Sequence, residues 1–160
     1  MCDRRRLPTL NALGEGIREG LAIDVGLSLP SVRAIAVLED LLALHCAPRA
    51  LRVDNEPALT SIARTRWCAQ HRIALLYVQH GTPQQNAYIE RFDRTSGTEV
   101  LDAFLFQSIA EVGVLTAACL VSYNVERLRE SLGRVPPLAS LPRPTAPCES
   151  TSALSTSRGR

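Results

Sequence analysis

The sequence contains no lysine: all 18 of its lysine-plus-arginine residues are arginine. Aromatic residues are also scarce, at 4% of the chain. No apolar run approaches the roughly 20 residues that a transmembrane helix requires. The residues after Arg4, Arg5 and Arg6 are interrupted by Pro8 and do not form the continuous apolar segment of a signal peptide. These absences argue against a membrane protein and predict a cytoplasmic one.

Paired metal-ligand cysteines are missing as well. The five cysteines are Cys2, Cys46, Cys68, Cys119 and Cys148. Their number is odd, their spacings are wide and none forms a C-x-x-C pair, which argues against a zinc site and against a disulfide framework. Free, mostly buried thiols are therefore expected.

What the composition does provide is enough for one globular domain. The chain has 160 residues, 46% of them hydrophobic, which suffices to bury a core. A net charge of +2 does not by itself indicate a nucleic-acid-binding protein. Guanidinium groups suit bidentate phosphate contacts, but a GC-rich coding sequence also replaces lysine by arginine. We favour the compositional cause.

The order of short apolar segments predicts an α/β protein. Leu21, Ile23, Val25 and Leu27 alternate with other residues, as in a half-buried strand. Further along, residues 50–53 predict a short strand, residues 73–78 a fully buried strand, and residues 84–95 a helix. A last helix begins at Ser108, where Glu111 three positions later fits a capping box. Strands alternating with helices are typical of layered α/β architectures.

The composition changes after Gly133. Pro136, Pro137, Pro142 and Pro144 are followed by a segment rich in serine and threonine. Such a composition favours disorder. We therefore divide the chain into a folded domain over residues 1–137 and a Pro/Ser-rich disordered tail over residues 138–160.

Two acids carry the most chemical information. Asp54 directly follows the strand 50–53, and Glu90 lies on the helix predicted over 84–95. Carboxylates at a strand end and on a nearby helix can hold a divalent cation between them, since Mg²⁺ prefers oxygen ligands and often binds substrate phosphates as well. The pattern therefore suggests phosphoryl transfer on nucleic acid. The alternative is a pair of unrelated surface acids.

The sequence around these two acids favours a metal site for phosphoryl transfer over a pair of unrelated surface acids. It comprises Thr9-Leu10-Asn11, Arg18 to Val25, Arg52 to Pro57, Gly81 to Phe92, Glu99 to Ala103, Tyr123 to Arg127, Ser131-Leu132-Gly133 and Pro136-Pro137. In order and spacing these segments resemble the integrase-core transposases of bacterial insertion sequences, which have an Asp-Asp-Glu site. The resemblance runs from about Asp3 to Pro137.

The resemblance implies a ribonuclease-H-like fold and a Mg²⁺ (or Mn²⁺) cofactor. It assigns catalytic and metal-binding roles to Asp54 and Glu90. The DNA-binding residues that it suggests are Asn55, Gln85, Asn86, Arg91 and Arg94. The partners would be DNA, at the element ends and the target, and either further copies of this chain or an intact transposase.

The same comparison exposes a gap at the front of the chain. In the family the first catalytic Asp lies on a strand before the segment resembling Asp3 to Arg6, and that strand has no counterpart here. We therefore expect an integrase core lacking its first strand, marginal in stability and inactive alone. Asp24 and, with less support, Asp3 are the candidate replacements for this Asp, and we expect that neither takes its role. The alternatives are a non-catalytic DNA-binding or dimerising fragment that modulates an intact transposase, a pseudogene product, or an enzyme completed by an upstream reading frame.

Overall fold

The computed structural model describes residues 7–53, 62–78, 87–97, 106, 108–128, 132–140 and 153–159. Five strands lie within these residues: β1 Thr9–Gly14, β2 Gly20–Val25, β3 Ala50–Val53, β4 Ala74–Tyr77 and β5 Ala153–Gly159. The α-helices described are α1 Ser31–Leu44, α2 Ile62–Gln70, α3 Ala87–Ser96 and α4 Ile109–Val125. A short 3-10 helix, Pro137–Ala139, follows α4.

The strands form one sheet in the order β2-β1-β5-β3-β4. β1 is antiparallel to both β2 and β5, whereas β3 is parallel to both β5 and β4. The predicted α/β alternation is therefore confirmed, and the sheet is mixed. The parallel half requires crossover helices, which α1 and α2 supply.

Helices cover both faces of the sheet. On one face α1 and α2 pack over apolar residues of β1 and β3, and this core includes Leu10, Val53, Leu38 and Trp67. On the other face Leu13 of β1 packs with residues of α3 and α4. Residues that alternate along a strand point to opposite faces, so β1 contributes Leu10 and Ala12 to one core and Leu13 to the other. The sheet is thus the middle layer of three.

The prediction of a strand within residues 73–78 is confirmed by β4, but the prediction that this strand is buried is wrong. Among the described strands, β4 pairs with β3 alone and lies at the edge of the sheet. Leu76 and Tyr77 are 40% and 44% exposed, and only Ile73, just before the strand, is buried in the core. A continuous apolar run is typical of a central parallel strand, but periodicity cannot tell a central strand from an edge strand.

The structure also differs from the expected disordered tail over residues 138–160. Within that segment Ala153–Gly159 form β5, which pairs with β1 along six residues and with β3 along four. β5 therefore sits in the middle of the sheet. The local composition of a strand does not record the backbone partners that distant segments offer it, which is why composition favoured disorder here.

Two further local predictions have clear outcomes. The helix start at Ser108 is confirmed, since the backbone N–H of Glu111 donates to Ser108 Oγ at 3.2 Å. The expectation of free thiols holds for Cys68 and Cys119 but is wrong for Cys46, which is disulfide-bonded. Spacing along the chain does not reveal which cysteines meet in space. Among the described residues, no helix is both long enough and apolar enough to cross a membrane.

Candidate functional site

The helix that carries Glu90, α3, has one buried face and one exposed face. Ile89 and Phe92 are 1% and 0% exposed, and they pack against Leu13 and Tyr123. The Phe92 and Tyr123 rings meet edge to face, with centroids 4.6 Å apart. Residues three and four positions apart share a helix face, so the buried positions fix how α3 lies on the sheet. Glu90 is in the first turn of α3 and is exposed.

A polar contact fixes α3 along the sheet. Asn11 of β1 is fully buried, and its Nδ2 donates to Asp93 Oδ1 at 2.7 Å and to Ser96 Oγ at 3.4 Å. A buried amide is costly unless it is hydrogen-bonded, so this contact specifies one position for the helix. It aligns Asp93 with the middle of β1.

Strand register places this contact near the carboxyl end of β3. Thr156 of β5 is paired with Val53, the last residue of β3, and the next residue of β5, Ser157, is paired with Asn11. Asp93 therefore overlies the sheet one residue beyond the level at which β3 ends. Glu90 is one helical turn before Asp93, and residues three apart on a helix have Cβ atoms about 5–6 Å apart.

The structure does not describe the other residues that the sequence predicts near Glu90. Asp54, Asn55, Gln85 and Asn86 lie outside the described residues. Their predicted roles, and the pairing of Asp54 with Glu90, therefore remain predictions. In the sequence Asp54 directly follows Val53.

Positive charge accompanies Glu90 on α3. Arg91 and Arg94 are both exposed on this helix. The guanidinium of Arg18, in the turn between β1 and β2, stacks on the Tyr88 ring with its carbon 3.4 Å from the ring centroid. Such stacking is typical of arginine, and Nη1 of the same guanidinium donates to the Glu15 carbonyl. The backbone of Arg18 is in the left-handed region, with φ 60°, a conformation that is uncommon for a residue other than glycine.

Gly20 of β2 is hydrogen-bonded to α4 and lies beside Phe92 of α3. The Gly20 N–H donates to Asn124 Oδ1, and Asn124 Nδ2 donates to the Gly20 carbonyl, both at 2.8 Å. A Cβ at Gly20 would lie 2.8 Å from Leu120 Cδ1 and 2.9 Å from two ring carbons of Phe92. The first residue of β2 is thus a point at which side chains of both helices lie close to the sheet.

Asp24 does not join Glu90 in one site. It is paired with Leu10 across β1 and β2, so it shares the face of the sheet that α1 covers. Arg33 of α1 holds it there, with Nε–Oδ2 at 2.6 Å and Nη2–Oδ1 at 2.9 Å. The hydrogen bond to Asp24 raises the pKa of Arg33. Because α3 lies on the other face, Asp24 cannot replace a carboxylate beside Glu90.

Two ionisable groups on α2, Arg64 and Cys68, also have shifted pKa values. Arg64 is 1% exposed, and burial lowers the pKa of its guanidinium. Burial raises the pKa of the neighbouring Cys68 thiol, an effect that the positive charge of Arg64 partly opposes. Both groups lie with the core that faces α1, away from Glu90. They are features of the α2 packing rather than of the Glu90 surface.

The described residues supply one available carboxylate at this edge but no complete metal site. Glu90 makes no hydrogen bond or ion pair with another described residue. In the part of the chain that the structure describes, no group of three or more His, Cys, Asp or Glu side chains could hold a metal ion. An exposed carboxylate fits the oxygen ligands that hard cations prefer. Asp54, the second ligand that the resemblance implies, lies outside the described residues.

Sequence reasoning missed Asn11 and Asp93 as a functional contact. Two signals were available. Asn11 is a polar residue between the apolar Leu10 and Ala12 of a strand with helices on both faces, and Asp93 is three positions after Glu90 on the same helix. Neither signal identifies the partner, because the contact joins residues 82 positions apart.

Comparison with known proteins finds relatives of this chain. A family model described as an integrase core domain matches residues 71–137. The uncharacterized 39.2 kDa protein of insertion element IS476 from Xanthomonas euvesicatoria is 33% identical over 137 residues. The uncharacterized 31.7 kDa protein of insertion element IS407 from Burkholderia multivorans is 28% identical over the same length. These matches cover 86% of the chain but 40% and 50% of the two proteins, so the chain spans half their length or less.

Solved structures are similar in fold. The catalytic core domain of BIV integrase has a TM-score of 0.63 and 18% identity, covering 81% of this chain and 83% of that one. The HTLV-2 integrase catalytic core domain in complex with magnesium has a TM-score of 0.54 and 16% identity, covering 79% and 80%. The predicted ribonuclease-H-like α/β class is therefore confirmed. The chain thus matches the integrase core domain family over residues 71–137, and its relatives include proteins of bacterial insertion elements.

Proposed function

We propose that this chain is an integrase catalytic domain for DNA transposition, a core that acts on DNA by metal-dependent phosphoryl transfer. The observation that carries the proposal is the position of Glu90. It is an exposed first-turn carboxylate on a helix fixed over the sheet edge where β3 ends and the sequence continues with Asp54. Asp54 and Glu90 would be the metal-binding and catalytic pair.

A bound Mg²⁺ or Mn²⁺ would activate the attacking oxygen and stabilise the leaving oxygen of the phosphodiester. The HTLV-2 integrase core, of the same fold, is described in complex with magnesium. The residues of this chain would then have separate tasks. Asp54 and Glu90 hold the cation, and the buried face of α3 keeps the Glu90 backbone in place through Phe92 and the Asn11–Asp93 hydrogen bond.

DNA would lie along the exposed side of α3. Arg91 and Arg94 would contact phosphates there, and Asn55, Gln85 and Asn86 would contact the backbone or bases nearby. Arginine suits this role because its planar donors pair with two phosphate oxygens at once. Arg18, stacked on Tyr88 at the first turn of α3, extends the same positive surface.

The metal site is tested by comparing two first-turn acids. Glu90 is in the first turn of α3 and Glu111 in the first turn of α4. Thermal unfolding is measured with and without Mn²⁺ for the original protein, Glu90→Gln and Glu111→Gln. A cation at about ten times its Kd stabilises the folded state by about 1.4 kcal/mol. We expect Mn²⁺ to raise the Tm of the original protein and of Glu111→Gln but not of Glu90→Gln. An equal rise in all three proteins contradicts the assignment of Glu90.

A non-catalytic DNA-binding role is the second candidate, and the exposed Arg91 and Arg94 favour it. The logarithm of the DNA-binding constant falls linearly with the logarithm of the salt concentration, and each phosphate contact that is lost makes this slope less steep by about 0.9 for duplex DNA. Arg91→Ala/Arg94→Ala should therefore reduce the slope by roughly 2. Binding that is unaffected by Mn²⁺ and by Glu90→Gln, yet is sensitive to these arginines, would favour this candidate over catalysis.

We further propose that the chain works as an oligomer, with itself or with an intact transposase. A simian T-cell lymphotropic virus intasome is among the structures of similar fold. Val114, Val121 and Val125 of α4 are 70%, 62% and 52% exposed, and their spacing puts them on one face of the helix. Exposed apolar stripes are typical of protein interfaces. Val121→Asp should shift the sedimentation of the protein towards the monomer, and Val32→Asp on α1, also exposed, is the matched control.

A further inference from the structure

The middle of the sheet is filled by the segment farthest along the chain. β5 lies between β1 and β3, antiparallel to the first and parallel to the second. Among the described strands, β1 otherwise pairs with β2 alone, and β3 otherwise pairs with β4 alone. Without β5 the sheet would be two separate two-stranded units with a gap one strand wide between them. We call this gap the closing slot.

The closing slot is lined by residues that are buried. Leu10, Ala12 and Leu13 of β1 are at most 2% exposed, and Leu51 and Val53 of β3 are at most 1% exposed. Their backbone groups need partners, because a buried and unpaired N–H or C=O costs about 1–3 kcal/mol. The slot therefore requires an extended segment, and six residues of β1 and four of β3 specify its register.

The segment that fills the slot is a weak strand by sequence. It reads Ala-Leu-Ser-Thr-Ser-Arg-Gly, whereas central strands are usually rich in β-branched and apolar residues. Thr156 is 3% exposed and is paired with Ala12 on one side and Val53 on the other. Its hydroxyl donates to the carbonyl of Arg52 at 3.4 Å. Backbone pairing with β1 along six residues and with β3 along four is what holds β5 in register.

The occupant of the slot also supports the functional helix. α3 packs against β5 as well as against β1. Displacement of β5 would therefore remove part of the surface on which the Glu90-bearing helix lies. Occupancy of the closing slot and placement of α3 are coupled by this contact.

We propose that Ala153–Gly159 is a separable closing strand, and that the closing slot accepts the same segment from a second copy of this chain. Strand addition of this kind uses main-chain hydrogen bonds for affinity and register for specificity. The copy-to-copy exchange makes β5 an interaction element as well as a structural one. The inference is independent of the metal chemistry proposed for Asp54 and Glu90.

The experiment uses the full chain and a fluorescent peptide with the sequence of residues 150–160. Binding is followed by fluorescence anisotropy. The chain's own β5 competes with the peptide, and the apparent Kd rises in inverse proportion to the fraction of open slots. Proline cannot donate to a ladder and is not tolerated in a central strand. The full chain with Thr156→Pro should therefore bind the unmodified peptide at least about tenfold more tightly than the original chain does.

Two control peptides define specificity. A peptide with the Thr156→Pro change and a scrambled peptide should both fail to bind the Thr156→Pro chain. Should that chain be unfolded alone, recovery of its far-ultraviolet circular dichroism on addition of the unmodified peptide supports the proposal. No binding to a folded Thr156→Pro chain overturns the proposal. Equal binding of the scrambled peptide, or an unfolded chain that the peptide does not restore, overturns it equally.

Discussion

Gly20 is the position at which a single added methyl group tests the packing of both helices over the sheet. Its backbone is held on both sides by Asn124, with two hydrogen bonds of 2.8 Å. The backbone therefore cannot shift to make room. In Gly20→Ala the new Cβ would lie 2.9 Å from ring carbons of Phe92 and 2.8 Å from Leu120 Cδ1. Favourable carbon–carbon contacts are about 3.5–4.0 Å.

The overlap is about 0.6 Å or more relative to those contacts, so Phe92 or Leu120 must move. Overpacking of a core by one methyl group typically costs about 1–3 kcal/mol. Gly14 provides the matched control on the other side of the same hairpin turn. A Cβ there would have its nearest neighbours at 3.7 and 3.8 Å, which is ordinary contact. Both changes remove the same glycine flexibility from the unfolded chain, and the difference between them isolates the steric effect.

Urea titration followed by circular dichroism measures this difference. We expect Gly20→Ala to be about 1–3 kcal/mol less stable than Gly14→Ala, with an unchanged slope in urea. In the Gly20→Ala background, Phe92→Leu should cost less than it does alone, with a coupling of about 0.5–3 kcal/mol. Equal midpoints for the two alanine variants would refute the close approach of α3 and α4 to β2.

Three further predictions concern the site, the core and the closing strand. Asn11→Ala removes a hydrogen bond to Asp93 from the sheet and should lower the free energy of unfolding by about 1–3 kcal/mol in urea. Because burial raises the pKa of the Cys68 thiol, the stability contributed by the neutral thiol is fully present below the unfolded-state pKa. It is lost as pH rises through the folded-state pKa, and Cys68→Ala should reduce this alkaline loss in urea titrations at successive pH values. Ser157→Asp puts a carboxylate at the register position opposite Asn11. Because a further oxygen ligand strengthens a hard-cation site, the Mn²⁺ affinity measured by electron paramagnetic resonance should rise about tenfold or more. Ser155→Asp is the control, and equal Mn²⁺ affinities of the two variants would contradict the register argument.

Local signals in the sequence predicted the elements that depend on local interactions. The strand over 50–53 and the helix start at Ser108 both rest on neighbouring residues, an apolar run and a side-chain cap, and both are observed. The helix bearing Glu90 was predicted for the same reason, and its observed bounds are Ala87–Ser96. The resemblance to integrase cores supplied the fold class, because order and spacing of motifs report a whole architecture.

Features that depend on distant pairing could not be predicted. β5 has the composition of a disordered segment and becomes a strand only because β1 and β3 offer it backbone partners on both sides. The apolar run before Val78 gives no sign that β4 lies at the edge of the sheet, and the buried contact between Asn11 and Asp93 joins two segments that no local pattern connects. The pairing of Asp54 with Glu90 remains a prediction from the resemblance.

The central place of β5 determines when the protein can finish folding. Its Thr156 bonds to Arg52, 104 positions earlier, so the two halves of the sheet remain apart until the ribosome has released residues 153–159. At synthesis rates of about 5–20 residues per second, the edges of β1 and β3 that later pair with β5 remain unpaired in the nascent chain for several seconds. Long-range strand pairing is slow in itself and leaves such edges open to aggregation. We therefore expect the yield of native protein in cells to depend on translation speed and on chaperones that shield nascent strands.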